Sequence, residues 1–406
     1  MAQTFTDAEW NAIHELLAQR GTEFGLPERR DGSVVLGSFN IRKLGKLESK
    51  SADAWRLLAA LCEPFDLIAV QEVQDDLTGL RHLKQLLGDD GWGMVSSDIT
   101  GGTPGSSSPT ERLAFLFRWA RVERTVVASD ISFDRSDVLG TLYDGRVDFS
   151  AAFDEFTARH GAWETDAAER KALGRNPKQK PVLRMPRFVT FIRQPLCVSF
   201  RVPGVGGAEP YEFLAVNAHL LYGRYKSERW FEFQALITWL IERAKRAERM
   251  YHPNIVLLGD CNFDLENVER RRKDVDELIK SINGWQLNTP GTADVNFPFL
   301  DAHPNSPDGN VFRTNARESQ TYDQIGLVVH DARLPTHEAN AAAGEAPDGF
   351  DYGVVNFVDL FAQAVHQQNH EDLTSAERKA LYRKFEHDVT DHMPIWIRIR
   401  VPQAAD

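Results

Sequence analysis

A chain of 406 residues with 42% hydrophobic and 26% charged residues has the make-up of a folded protein able to bury a large core. Its net charge of -12 excludes a protein that coats nucleic acid by bulk attraction, because that mode needs many phosphate-neutralising cations. Cys62, Cys197 and Cys261 form no disulfide framework, no run reaches the ~18 apolar residues of a membrane span, and residues 1 to 20 lack a basic stretch leading an apolar one; the reading is a reducing, cytoplasmic setting.

Thr6-Asp7-Ala8-Glu9 before Trp10, Ile13, Leu16 and Leu17 predicts a capped amphipathic helix. Val34 to Phe39 reads as a strand that delivers Asn40 at its end, followed by Ile41, Arg42 and Lys43. A helix over Ala52 to Leu61 precedes an apolar strand, Asp66 to Val70, closing in Gln71-Glu72-Val73. A carboxylate such as Glu72 at the end of an apolar strand is costly to desolvate unless a cation or donor meets it. Leu77 to Leu87 is again helical, and Gly101 to Pro109 has the composition of a loop.

Glu111 then leads a central strand, Arg112 to Arg118. Residues 121 to 181 alternate poorly, include helical stretches at Phe153 to His160 and Asp166 to Leu173, and read as an insertion. Within Arg170 to Arg193 there are eight Lys or Arg and no Asp or Glu, a local cationic strip in an acidic protein or simply a solvated face. Arg187 to Arg201 reads as a strand pair broken near Gln194-Pro195, with Gly204 to Gly207 as a hairpin turn. Tyr211 to Val216 forms the next strand, closing in Asn217-Ala218-His219, and Ser227 to Met250 a long amphipathic helix.

Ile255 to Leu258 is a buried strand that opens through Gly259 into Asp260 and Asn262, two apart and therefore on one side if the backbone stays extended. Taken alone, Gly259-Asp260-Cys261-Asn262 is also an ordinary turn. Leu265 to Ile282 is helical, Asn288 to Asn315 irregular, Asp323 heads a strand running to Val329, Leu334 to Gly349 is loop, and Asp391-His392 precedes a strand from Pro394 to Val401.

The strand ends thus collect Asn40, Glu72, Glu111, His219, Asp260, Asn262, Asp323, Asp391 and His392. Carboxylate and amide oxygens are hard ligands suited to Mg²⁺ or Mn²⁺, while no Cys/His cluster has zinc spacing. Two histidines with carboxylates available to orient them are what general acid and base chemistry near neutral pH requires.

In order along residues 34 to 401, the pieces Phe39-Asn40-Ile41-Arg42 with Gly45, Gln71-Glu72-Val73, Glu111-Arg112 with its strand, Arg184 with Pro186, Asn217-Ala218-His219, Gly259-Asp260-Cys261-Asn262, Tyr322-Asp323-Gln324-Ile325 and Asp391-His392 resemble the endonuclease/exonuclease/phosphatase superfamily, most closely its DNase I-like branch. The resemblance implies an α/β four-layer sandwich, two mainly antiparallel β-sheets flanked by helices, and metal-dependent hydrolysis of phosphoester bonds at one edge. It implies a lead-in over 1–33 and a domain over 34–401 with insertions near 121–181, 265–320 and 331–375. It implies Glu72 as principal ligand of Mg²⁺ (or Mn²⁺), supported by Asn40 and Asp391. His392 oriented by Asp323 would activate or position water, and His219 paired with Glu111 would donate to the phosphate or leaving oxygen. Asp260 and Asn262 would align water and a non-bridging oxygen, with Arg42 and Arg184 contacting substrate phosphate.

Two departures bear on substrate. Pro109 stands two positions before Glu111, where pancreatic-type nucleases of the family place a groove-contacting aromatic, and the cysteines offer none of the disulfides of secreted members. The first expectation is an endonuclease acting on nucleic acid, with DNA as the first substrate and no membrane partner. The second is a phosphatase or phosphodiesterase for a small molecule or lipid headgroup, and the third an inactive binding scaffold.

Overall fold

The computed structural model describes residues 4–101, 110–222, 226–246, 252, 254–262, 268–284, 293–304, 306, 310–329 and 334–404. The first sheet is ordered β11 (Asp351–Val354), β12 (Ile395–Arg400), β1 (Ser33–Leu44), β2 (Leu67–Val73), β4 (Arg112–Arg118), β3 (Trp92–Ser96). The second is ordered β5 (Glu123–Asp130), β6 (Leu196–Val202), β7 (Tyr211–His219), β8 (Ile255–Asp260), β10 (Asp323–Val329), β9 (Asp294–Asn296). Both are antiparallel except at one central pair each, β1 with β2 and β7 with β8. A parallel pair needs a crossover connection, and the helices α2 (Ala52–Cys62) and α6 (Lys226–Ala244) supply it. The expected sandwich of two mainly antiparallel sheets flanked by helices is the observed architecture.

Alternation along single strands builds the layers. Val256 and Leu258 of β8 join the cluster between the sheets, whereas Ile255 and Leu257 join the apolar residues of α6 and α7 (Val268–Gly284) on the outside. Across the interface Phe115 and Phe117 of β4 meet Phe200 of β6 edge-on, with ring centroids 5.4 and 5.3 Å apart. Each such side chain contributes roughly 1.5–3 kcal/mol by leaving water. On the first sheet's side, α1 (Asp7–Arg20) packs on α8 (Phe357–His366) through Trp10, Ile13 and Leu17. Its start carries the expected capping box, the Thr6 hydroxyl accepting from the Glu9 amide and Glu9 accepting from the Thr6 amide.

Several predicted elements differ. Residues 123–130, where no regular element was predicted, form β5, the exposed edge of the second sheet, whose polar sequence hides its alternation. After it, α4 (Arg135–Asp144) leads to a single helix, α5 (Arg146–Ala172), which joins the two predicted helical stretches. Residues 187–195 are irregular, so only β6 survives of the predicted strand pair. Residues 102–109, 247–251, 263–267, 285–292, 305 and 307–309 of the predicted loops and helix ends lie outside the described residues. All three cysteines are free and buried, and among the described residues no helix is long and apolar enough to cross a membrane.

Candidate active site

The site lies where β1, β2, β7 and β8 end and where β4, β10 and β12 begin. Register aligns it: His219 is the cross-strand partner of Asp260, and Asp260 that of Asp323, so three neighbouring strands present one row. Gly259 makes that row possible, because a Cβ there would fall 2.0 Å from the Ala218 carbonyl oxygen. Only glycine lets β7 and β8 approach so closely one residue before Asp260.

The first sheet brings the opposing groups. The Asn40 amide Nδ2 donates to Asp260 Oδ2 at 3.0 Å and lies 3.4 Å from Glu72 Oε1. Glu72 reaches it because the β1–β2 and β2–β4 registers both break here and Glu72 takes a left-handed backbone, φ 57°. Its other oxygen accepts from the Lys43 amide at 3.1 Å, and Lys43 is itself at φ 51°. Beneath, Asn217 crosses from the second sheet to donate to the Val70 and Ala114 carbonyls at 3.1 and 2.9 Å, and accepts from Gln71 at 2.7 Å. It thereby ties the second sheet to β2 and β4 at the point where their register shifts.

Two histidine–carboxylate pairs flank Asp260. His219 Nδ1 meets Glu111 Oε2 at 2.9 Å, and its Nε2 stands 3.6 Å from Asp260 Oδ2. His392 Nδ1 meets Asp323 Oδ2 at 2.9 Å, and its Nε2 stands 3.7 Å from the same Asp260 oxygen. Thr314 completes the second pair, its hydroxyl donating to Asp323 Oδ2 at 2.7 Å. Burial alone would lower the His392 imidazole, but the charges of Asp323 and Asp260 overcome it and hold the ring well above the ordinary histidine range. Burial would raise Glu111, yet His219 and Arg193 outweigh it and keep that carboxyl below the usual range. Asn262, at φ 50°, donates its backbone amide to Asp260 Oδ1 at 2.9 Å and its side chain to the Leu220 carbonyl at 2.8 Å.

The structure therefore brings together Asn40, Glu72, Glu111, His219, Asp260, Asn262, Asp323 and His392. Asp391 and Arg42 stand beside them as a pair, Arg42 donating to Asp391 at 3.0 Å and to the Glu386 carbonyl at 3.3 Å. Arg184 is exposed, with its charge acting on Glu228 of α6. Arg193 takes the place next to the cluster. Buried, it grips Glu111 with two nitrogens at 2.8 and 3.0 Å. The sequence signal for it was present in Arg193-Gln194-Pro195 directly before β6, an arginine and proline pair at a strand entrance. Gln71 and Asn217 stand in the sequence motifs without a task of their own, and Thr314 and Lys50 stand outside them. Lys50 is buried and donates to the carbonyls of Arg42, Asp388 and Val389, fastening the segment that carries Asp391 to the end of β1.

The residues fit a hard divalent cation in two places. Asn40, whose Nδ2 lies 3.4 Å from Glu72, has a buried Oδ1 with no hydrogen-bond partner, an orphaned oxygen that a cation would satisfy. Asp260, Asp323 and His392 each offer a ligand atom, all within 4.8 Å of one another, and Asp323 Oδ1 is also orphaned.

Arg170, Lys178, Arg187 and Arg193 of the cationic strip pair with acidic neighbours. Asp166 of α5 binds both Arg170 and Lys178, at 3.1 and 3.0 Å, Asp148 binds Arg187 at 3.1 Å, and Arg193 is buried on Glu111. At the other side of the site the Tyr322 ring lies 6.0 Å from that of His392 and 6.2 Å from that of Tyr222, over which Arg229 is stacked at 4.6 Å.

No protein-family model matches the chain, and no curated protein matches it by sequence. Among solved structures, it is similar to the mannosyl-6-phosphatase Bt3783 of Bacteroides thetaiotaomicron at 13% identity and TM-score 0.44, over 90% of this chain and 99% of that one. It is similar to an endonuclease/exonuclease/phosphatase family protein of the same organism at 14% identity and TM-score 0.42, over 91% of this chain and 98% of that one. It is similar to truncated TDP2 of Caenorhabditis elegans at 11% identity and TM-score 0.44, over 91% of this chain and 98% of that one. At such identity and TM-score the likeness is a distant one.

Proposed function

We propose that the chain is a divalent-metal-dependent phosphoesterase of the endonuclease/exonuclease/phosphatase superfamily that hydrolyses phosphodiester bonds of nucleic acid, as an endonuclease. What carries this reading is the convergence of two histidine–carboxylate pairs on one buried carboxylate, with His219 and His392 Nε2 at 3.6 and 3.7 Å from Asp260 Oδ2. A phosphoester requires groups on both sides of phosphorus, one set for the attacking water and one for the departing oxygen.

Each residue then has a task. Because Asp323 and Asp260 favour the imidazolium of His392, its Nε2–H is set to donate to a phosphate oxygen and position water rather than to abstract a proton. Asp260 is the carboxylate placed to take the water's proton, its other oxygen fixed by the Asn262 amide. His219, oriented by Glu111, is the donor for the departing oxygen. Asn40 and Glu72 would hold the Mg²⁺ or Mn²⁺, with Asp391 nearby on Arg42. When bound, the cation supplies charge neutralisation at the phosphate oxygens. Nucleic acid is favoured by the aromatic corner of Tyr322 and Tyr222, which gives a base or sugar ring something to pack on beside the scissile group.

The second reading, a small phosphoester as substrate, draws support from Arg170, Lys178, Arg187 and Arg193 of the basic strip being paired with Asp166, Asp148 and Glu111. A protein that tracks a long phosphate backbone keeps such cations available. Plasmid nicking, a labelled oligonucleotide and a set of small phosphomonoesters and phosphodiesters, each with Mg²⁺ and with EDTA, separate the two. Nicking with Mg²⁺ alone supports the first, turnover of small esters alone the second, and no metal-dependent hydrolysis of any phosphoester overturns both.

A further inference from the structure

Glu232 is a carboxylate on a helix whose neighbouring side chains Phe233, Leu236 and Ile237 are all buried and apolar, and it is itself buried. Burial pushes it up to about 7 despite the nearby charges of Arg193 and His219. Its two oxygens are engaged by main chain: Oε1 accepts from the Ile192 amide and Oε2 from the Leu221 amide, each at 2.6 Å. Those amides flank the two side chains that close on Glu111. Arg193 directly follows Ile192, and His219 lies two residues before Leu221.

Two carboxylates therefore join the same two chain segments. Glu111 ties the side chains of Arg193 and His219, and Glu232 ties the backbones that carry them. Neither segment is regular at that point, since β7 ends at His219 and residues 187–195 form no strand. Without Glu232 the Ile192 and Leu221 amides would lack their acceptor, and the chain leaving β7 at His219 would keep only the Leu220 bonds to the Asp260 carbonyl and the Asn262 side chain besides Glu111.

We propose that Glu232 is a positioning residue: through Leu221 and Ile192 it fixes the direction in which His219 presents Nε2 toward Asp260. The inference rests on the phosphoesterase reading for its kinetic consequence but not for its geometric one.

The experiment compares wild type with Glu232→Gln, which keeps one acceptor oxygen, and Glu232→Leu, which keeps none. Glu228→Gln, one turn earlier and bonded to the Met185 amide, serves as control. The readouts are the ¹⁵N and ¹³C imidazole resonances of His219 and His392, and kcat and KM for a phosphodiester with Mg²⁺. The expected result is a His219 resonance displaced in Gln and further in Leu, with His392 and the Glu228→Gln protein unchanged. kcat falls by about 10-fold in Gln and towards about 100-fold in Leu, the size of effect a small misplacement of a reacting group produces, with KM within about twofold. If Leu fails to fold, the Gln protein carries the test. A folded Glu232→Gln protein with wild-type His219 resonances and kcat overturns the proposal. Should no protein, wild type included, hydrolyse any phosphoester, the resonances decide: a displaced His219 supports the positioning and overturns only the phosphoesterase reading, whereas an unmoved one overturns the positioning as well.

Discussion

Asp323 Oδ2 stands 2.9 Å from Nδ1 of His392 although the two residues belong to different sheets, Asp323 opening β10 of the second and His392 preceding β12 of the first. The same holds for the other close pairs. His219 of the second sheet meets Glu111 ahead of β4 in the first, and Asn40 of the first meets Asp260 of the second. The site is thus a product of how the sheets face each other, and packing between them sets distances at its rim.

Asp323→Asn tests that coupling. Removing the anion withdraws the first of the charges that lift the His392 imidazole against its burial. The imidazole should then titrate at lower pH than in wild type, measured by NMR, with kcat reduced as the ring loses its fixed orientation. An unchanged His392 titration would contradict the pairing.

Gly259→Ala places a Cβ 2.0 Å from the Ala218 carbonyl oxygen, a backbone atom that cannot step aside alone. The strands must part. Denaturant unfolding should show a loss of about 1–3 kcal/mol or more, and kcat should fall further than that of a core variant of equal stability, because Asp260 and His219 are displaced together.

Lys50 gives stability a signature at alkaline pH. Burial lowers its ammonium from 10.5 to about 8. Between those values the unfolded chain binds the proton and the folded chain does not, so unfolding free energy from this group rises with pH from about 8 to about 10.5. Lys50→Met removes that rise. The urea midpoint difference, wild type minus variant, should be more positive at pH 10 than at pH 7.5; a difference that does not change with pH would count against it.

Glu72→Ala removes the carboxylate that stands 3.4 Å from the Asn40 amide nitrogen, on the side chain whose oxygen is orphaned. Calorimetric titration with Mg²⁺ or Mn²⁺ should show binding in wild type and a loss of at least about tenfold in affinity in the variant, since hard cations depend on charged oxygen ligands. Equal affinity would move the cation to Asp260, Asp323 and His392.

Strand ends were the legible part of the site. A buried strand announces itself by an apolar run, and the first polar residue after it is conspicuous, as at Asn40, Glu72, His219 and Asp260. Arg193 was not legible in the same way, because residues 187–195 follow no period and its partner Glu111 lies 82 positions earlier. Asn217 reads only as the start of a strand end, since its bonds to the Val70 and Ala114 carbonyls exist only once the two sheets are packed together. The strip from Arg170 to Arg193 reads as cationic in sequence, yet Asp148 and Asp166 pair with Arg170, Lys178 and Arg187 from outside it. Charge runs are local in sequence and their counter-charges are not.

The rate of Mg²⁺-dependent phosphodiester hydrolysis by His392→Ala, set against wild type with folding checked by circular dichroism, tests the central claim most directly. A loss of ~10²-fold or more with the fold retained is what two histidine pairs acting on one phosphorus require. Undiminished hydrolysis by a folded His392→Ala protein would mean that the cluster around Asp260 is not where the bond is broken.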